Sequence, residues 1–307
     1  MGHRGRSFSR AQTKRNHRHG HPPARGTGVW AAVLFATLVS VARAGDDRVV
    51  EGLANPESVL IGPRGQILVS QIGEFGKDGD GSIVEVKPNG ALKTFASGLN
   101  DPKGLAHDGV NVFVTDRDQI WRIDPSGKTT VFATRSAFPV VPKFLNDIVH
   151  DGGGNLYVSD SGAKGTAGAI FKVSPRGKVS VVTSSAIEPL VRSPNGLVMD
   201  GPERLLVVDF STGHLYRISL KARKTEKVAS GFGGGDGLAL DRKRRLYVSD
   251  WKNGHVWRLD LRQRPPQSVQ YPQVFEAPAD ITLDQSQRYL LVPDMKAGTL
   301  TRLPIKP

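Results

Sequence analysis

The feature that most constrains this 307-residue chain is a pattern that recurs six times along it. Each copy opens on a polar residue and a short apolar stretch: PESVLIG from Pro56, PKGLAHD from Pro102, LNDIVHD from Leu145, PNGLVMD from Pro194, GDGLALD from Gly235 and ADITLDQ from Ala279. A second short strand follows (ILVSQ, VFVTD, LYVSD, LLVVD, LYVSD, LLVPD). A third then starts on small or turn residues (GSIVEV, DQIWRI, GAIFKV, GHLYRI, GHVWRL, GTLTRL), and a fourth such as LKTFASGL closes most copies. The leading polar residues, Glu57, Lys103, Asn146, Asn195, Asp236 and Asp280, are separated by 46, 43, 49, 41 and 44 residues. Four short strands every forty-odd residues describe a propeller blade. No segment sustains a helical period, so the chain is predicted to be all-β, a six-bladed β-propeller with four-stranded blades.

The sixth copy stops after its third strand. Its missing partner has a candidate near the other end, where VVEGLANPES from Val49 reads like FASGLNDPKG from Phe95. Residues Arg48 to Leu53 are therefore predicted to complete the last blade, closing the ring and removing an open sheet edge.

Charge is concentrated at the start of the chain. The formal net charge is +13, and residues 1–28 hold seven basic residues and no acid. Val29 to Val41 is an apolar run short for a membrane span, and Ala42-Arg43-Ala44 follows as a small-x-small cleavage site. Residues 1–44 read as a secretory signal peptide and 45–307 as a single propeller domain, exported to a periplasm or the medium. Removing the first 44 residues takes eight basic residues and no acid from +13, leaving +5. Nucleic acid drops out as a partner, and no stable membrane span is expected after cleavage. The absence of cysteine excludes disulfides, thiolate metal sites and a cysteine nucleophile.

In a propeller the first strand of each blade lines the central channel, so the six leading polar residues are predicted to form a ring at one mouth. Three carboxylates (Glu57, Asp236, Asp280), two carboxamides (Asn146, Asn195) and Lys103 would face each other there. Such a ring either raises a carboxyl pKa or recruits a cation. Its ligand atoms are all hard oxygens, which favour Ca²⁺, with Mn²⁺, Mg²⁺ or Zn²⁺ as alternatives.

The motifs PES, LND, PNG and GDG resemble those of the gluconolactonase/regucalcin-type six-bladed propellers, relatives of the paraoxonases and the diisopropyl-fluorophosphatase. The resemblance implies a divalent metal held by Glu57, Asn146, Asn195 and Asp236. It also implies metal-assisted hydrolysis of a lactone or ester, for which Asp236 or Asp280 would serve as general base; Lys103, from its place in the ring, is a candidate for oxyanion stabilisation. Two departures stand out. Phe144 replaces the family's substrate-contacting arginine, and Lys103 is foreign to the pattern. They leave a second reading open, a non-catalytic, NHL-like binding propeller that recognises a peptide, glycan or envelope protein.

Loops should shape the pocket. Gln71 to Gly81, Ser161 to Gly168 and the apolar connection Phe138 to Phe144 are predicted to hang over the mouth, with Phe138, Val140, Val141 and Phe144 as an apolar wall suited to an aliphatic or aromatic lactone or ester. The aspartates that end five second strands (Asp116, Asp160, Asp209, Asp250, Asp294; Gln71 in the first copy) recur too regularly for a site and read as turn acceptors. His107, His150, His214 and His255 recur in pairs and read as structural or solvated, and Trp121, Phe171, Tyr216 and Trp257 as blade packing. SGKTT at Ser126 lacks the first glycine of a phosphate loop, so no nucleotide is expected. KDGDGS at Lys77 lacks the turn glycine and the bidentate glutamate of a calcium loop. A monomer is expected.

Overall fold

A computed structural model of the protein describes residues 49–163 and 167–305. The proposed signal peptide, residues 1–44, lies outside the described residues. Six four-stranded antiparallel sheets follow one another along the chain. In the first blade the strands are Pro56–Ile61, Ile67–Gln71, Gly81–Val86 and Leu92–Leu99. The first strands of the next four blades are Pro102–His107, Leu145–His150, Pro194–Met199 and Gly235–Leu240; in the sixth it shortens to Thr282–Leu283. These first strands pack against one another around a common axis, the third and fourth strands lying outward. The six blades form a β-propeller.

The ring closes as the repeat requires. Val49–Val50 pairs antiparallel with the last strand, Thr299–Pro304, in the register Val49 to Thr301 and Val50 to Leu300. The Leu53 amide then donates to the Gly298 carbonyl at 3.0 Å. Leu53 packs with Leu291 and Leu300 of the last blade and Val59 and Val69 of the first, so the closure is apolar as well as hydrogen-bonded.

Alternating apolar residues on the strands put the core between neighbouring blades. One cluster joins Phe113 and Ile120 of the second blade to Leu156 and Phe171 of the third. Tyr216 and Phe171 are fully buried, and Trp121 and Trp257 pack against the adjoining clusters, as expected of blade-packing aromatics.

The terminal aspartates of the second strands bind backbone amides. Asp116 accepts from the Asn100 and Asp101 amides at 3.0 and 2.7 Å, Asp160 from Lys143 and Phe144, Asp209 from Arg192 and Ser193, and Asp294 from Glu276 and Ala277. In the second, third and fourth blades the donors lie just before the first strand of the same blade, and in the sixth just before Pro278, which pairs with Asp294. Gln71 does the same in the first blade, accepting from the Ala54 amide at 2.8 Å. These buried side chains therefore fix where the channel strand begins in five of the blades, and with it the channel mouth; in the fifth, Asp250 instead accepts from the Asn253 amide at 3.2 Å.

Candidate active site at the channel mouth

Each channel strand starts with a break in register. In the first blade Pro56 faces Gln71 and Val59 faces Val69, so three steps on one strand match two on the other, and the next four blades repeat this. The extra residue is a β-bulge, which takes two consecutive side chains out of the ordinary alternation and toward the axis. The amide it strands is taken by a second-strand serine: Ser58 N to Ser70 Oγ at 2.9 Å, Asp147 N to Ser159 Oγ at 2.9 Å and Gly237 N to Ser249 Oγ at 2.7 Å.

The first bulge residue faces the mouth. Glu57, Lys103, Asn146, Asn195 and Asp236 are all buried and together line a cavity of about 160 Å³. The sixth position is corrected: Pro278, not Ala279, pairs with the end of its second strand, Asp294, as Pro56 pairs with Gln71. Ala279 therefore occupies the ring, and Asp280 sits one residue deeper, level with Ser58 and Asp147. It accepts a hydrogen bond from Ser58 Oγ at 2.6 Å. Asp280 does not line the mouth cavity. With Asp147, His107 and His150 it lines a separate cavity of about 420 Å³ formed by the later residues of the channel strands.

Asp147, which sequence reasoning passed over, makes the deeper layer a carboxyl pair. Its carboxylate accepts from the Ile148 amide at 2.6 Å and the Leu197 amide at 2.5 Å, linking the third blade to the fourth. Burial, and then the charges of neighbouring carboxylates, push Glu57, Asp147 and Asp236 well above the usual carboxyl range. Burial pushes Asp280 up to about 7.

Three oxygens at the mouth are buried and unpartnered: Glu57 Oε2, Asn195 Oδ1 and Asp236 Oδ1. Buried acceptors without donors are rare and costly unless something fills them. Among the described residues no three His, Cys, Asp or Glu side chains form a metal-holding group. Among the described residues the mouth carries two carboxylates, and its other side-chain oxygens belong to the carboxamides Asn146 and Asn195 and the Ser161 hydroxyl. Asn146 uses its amide nitrogen toward Ser161 Oγ at 3.3 Å. The donor set is thus oxygen-only and fits a hard divalent cation.

Lys103 is turned toward the wall. Its ammonium donates to the Asp101 carbonyl at 3.1 Å and lies 4.4 Å from the centroid of Phe144 and 5.9 Å from that of Phe75. Burial lowers its pKa, and the Glu57 charge works against that shift.

The expected apolar wall is only partly where the sequence put it. Phe144 lines the cavity, whereas Phe138 is buried in the core, edge-on to Phe171 at 5.0 Å, and the exposed Val140 and Val141 do not line it. The rest of the wall is Phe75, Phe210, Trp251 and Met295. The last three each follow directly on a second-strand aspartate, a repeat position whose signal was present but unread. Phe75 comes from the Gln71 to Gly81 loop, which is tied down through the Gly76 amide to Asp101 at 2.9 Å and through Arg117, bonded to both Asp101 and Asp78. From the Ser161 to Gly168 loop, Ser161 lines the cavity; residues 164–166 lie outside the described set.

Comparison with known proteins agrees with this architecture. A solved structure of XC5397 from Xanthomonas campestris, described as a gluconolactonase important in glucose secondary metabolic pathways, superposes with a TM-score of 0.65 at 17% identity, covering 86% of this chain and 92% of that one. At that identity the shared property is the fold. No curated protein sequence matches the chain. The family model described as SMP-30/Gluconolactonase/LRE-like region matches residues 104–292, more than half of the chain and inclusive of Asn146, Asn195 and Asp236. The chain therefore belongs to the SMP-30/gluconolactonase/LRE-like family.

Proposed function

We propose that the protein is a metal-dependent hydrolase of the lactonase or esterase type, acting at the channel mouth. The observation that carries this reading is the convergence of three unpartnered buried oxygens, Glu57 Oε2, Asn195 Oδ1 and Asp236 Oδ1, on one small cavity. Glu57, Asn146, Asn195 and Asp236 would hold a divalent ion, Ca²⁺ first among hard cations, with Mn²⁺, Mg²⁺ or Zn²⁺ as alternatives. When bound, the ion supplies positive charge that polarises a carbonyl.

The chain's own residues supply the rest. Asp236 is the best-placed base: burial raises its pKa above the usual carboxyl range, which strengthens it as a proton acceptor, while the Asn195 amide steadies the carboxylate. Lys103, anchored by the Asp101 carbonyl and the Phe144 ring, stands beside the mouth as a donor to a developing oxyanion. Phe75, Phe144, Phe210, Trp251 and Met295 exclude water and favour an apolar lactone or ester over a free sugar. The basic and apolar segment at residues 1–44 supports export to a periplasm or the medium.

The test is metal content and melting temperature of the purified protein with Ca²⁺ and after chelation, beside Asn195→Ala and Asp236→Ala, followed by a lactone and ester screen. Stoichiometric metal, lost in both variants and raising the parent's melting temperature, supports the reading. No metal and no turnover would turn it toward a binding propeller for an envelope partner.

A further inference from the structure

The mouth carries a second set of groups that hydrolysis as such does not use. Lys252 and Lys296 follow directly on the wall residues Trp251 and Met295, at the same position of the fifth and sixth repeats. Each reaches back over an aromatic ring. Lys252 Nζ lies 4.5 Å from the centroid of Phe210, and Lys296 Nζ lies 4.6 Å from that of Trp251. Phe210 and Trp251 are themselves in contact, with centroids 6.1 Å apart. The two ammoniums therefore cap one continuous aromatic wall. Neither lysine lines the cavity, both are exposed, and neither has a carboxylate partner among the described residues.

The pocket is consequently layered along its depth. Carboxyl groups, carboxamides and Lys103 make the floor, aromatic rings the walls, and the two lysines without carboxylate partners cap those walls. Resting on ring faces, the ammoniums are held in place before a ligand arrives, which reduces the ordering cost of using them. A cavity of about 160 Å³ has room for one six-membered ring, since roughly 150 Å³ accommodates benzene. Anything longer must extend past the rim. An anionic group on the ligand is disfavoured between the apolar walls and attracted by the two exposed ammoniums above them, so it would orient the molecule with its charge outward and its carbonyl inward.

We propose that Lys252 and Lys296 select a substrate with a ring-sized apolar body and an anionic substituent, a carboxylate or phosphate, carried on the end remote from the scissile carbonyl. This deepens the hydrolase reading of the mouth and rests on it.

The test compares phenylbutyrate with its uncharged amide, phenylbutyramide. Binding is followed by tryptophan fluorescence, to which Trp251 contributes, and by calorimetry. The parent is measured with Ca²⁺, with a chelator and at raised salt, beside the double variants Lys252→Met/Lys296→Met and Lys252→Arg/Lys296→Arg. An exposed ion pair contributes about threefold in affinity, so the carboxylate is expected to bind about tenfold tighter than the amide in the parent. That preference should persist on chelation, shrink at raised salt, fall within about twofold in the methionine variant and survive in the arginine variant. Equal affinity for the two probes, no binding of either, or a preference unchanged in the methionine variant overturns the proposal. So does a preference that vanishes on chelation alone, which would place the carboxylate on the metal. The salt series needs no variant. Failure of the hydrolase reading has a different signature: no calcium effect and no turnover, with the rim preference intact.

Discussion

Replacing Asp280 by Asn should stabilise the metal-free protein, and by an amount that grows with pH. Asp280 is buried beneath the mouth, accepts from Ser58 Oγ at 2.6 Å, and packs so closely on Gly237 that a Cβ there would stand 2.6 Å from its Oδ1. That burial moves its pKa from an ordinary 3.8 up to about 7. Each pH unit across such a gap corresponds to 1.36 kcal/mol, so ionised Asp280 destabilises the fold by about 4 kcal/mol. The sign follows from proton binding. Between about pH 4 and 7 the folded chain holds this proton and the unfolded chain does not, so the parent loses stability as pH rises through that window. Asn cannot ionise and keeps nearly the same shape. The difference between variant and parent should open from near zero at pH 4 to about 4 kcal/mol in favour of Asp280→Asn at pH 8. Urea denaturation with a chelator present, at several pH values, measures it directly, because a bound cation would hold the neighbouring carboxylates ionised. A parent as stable as the variant at pH 8 would refute the reasoning.

Three further outcomes are expected. Asp209→Ala removes the acceptor of the Arg192, Ser193, Ser211 and Thr212 amides and should cost about 4 kcal/mol or more in denaturant titrations, at about 1 kcal/mol for each stranded donor. Gly196→Ala would place a Cβ 2.1 Å from the Asp236 carbonyl oxygen, forcing the fourth and fifth channel strands apart; the calcium binding proposed for the mouth should weaken at least tenfold in calorimetry even where the melting temperature falls only modestly. Leu53→Ala opens the apolar seam that closes the ring, and a loss of about 2 to 4 kcal/mol in the same titrations is expected, whereas no change would mean that the closing strand contributes nothing.

The fold was legible because a propeller repeats its hydrophobic alternation and its turn residues every blade, and the closing strand because its sequence matched an outer strand elsewhere in the chain. Five ring positions were legible for the same reason. The sixth slipped by one because the register was taken from the first polar residue, and the ring residue of that blade is Ala279. Pro278, matching Pro56, Pro102 and Pro194, held the correct register. The wall was misplaced for a different reason. Phe138 and Phe144 belong to one apolar loop, and a loop sequence does not say which of its residues turns inward; Phe138 went to the core and Phe144 to the mouth. Phe210, Trp251 and Met295 occupy a position filled elsewhere by Ile72, Arg117 and Ser161, so the repeat fixes their place while hiding them behind unlike side chains.

What joins fold to site is the bulge at the start of each channel strand. In a regular strand, neighbouring side chains point to opposite faces, so only one of Asn146 and Asp147 could reach the axis. The extra residue lets both do so: Asn146 lines the mouth and Asp147 the cavity beyond it. The cost is an amide outside the ladder, which the serine before the terminal aspartate absorbs. In the fifth blade that serine, Ser249, also donates to the Ala279 carbonyl at 2.7 Å, and Thr115 of the second blade likewise donates to the Asn146 carbonyl of the third. The Thr115-Asp116 ending that reads as repeat punctuation therefore acts as a pair: Asp116 sets where its channel strand begins, and the Thr115 hydroxyl binds that blade to its neighbour around the ring. Oxygens from four different blades can then converge on one cavity although no two of them are close in sequence. A substitution that loosens this hydroxyl layer would disturb the mouth without touching a single residue that lines it.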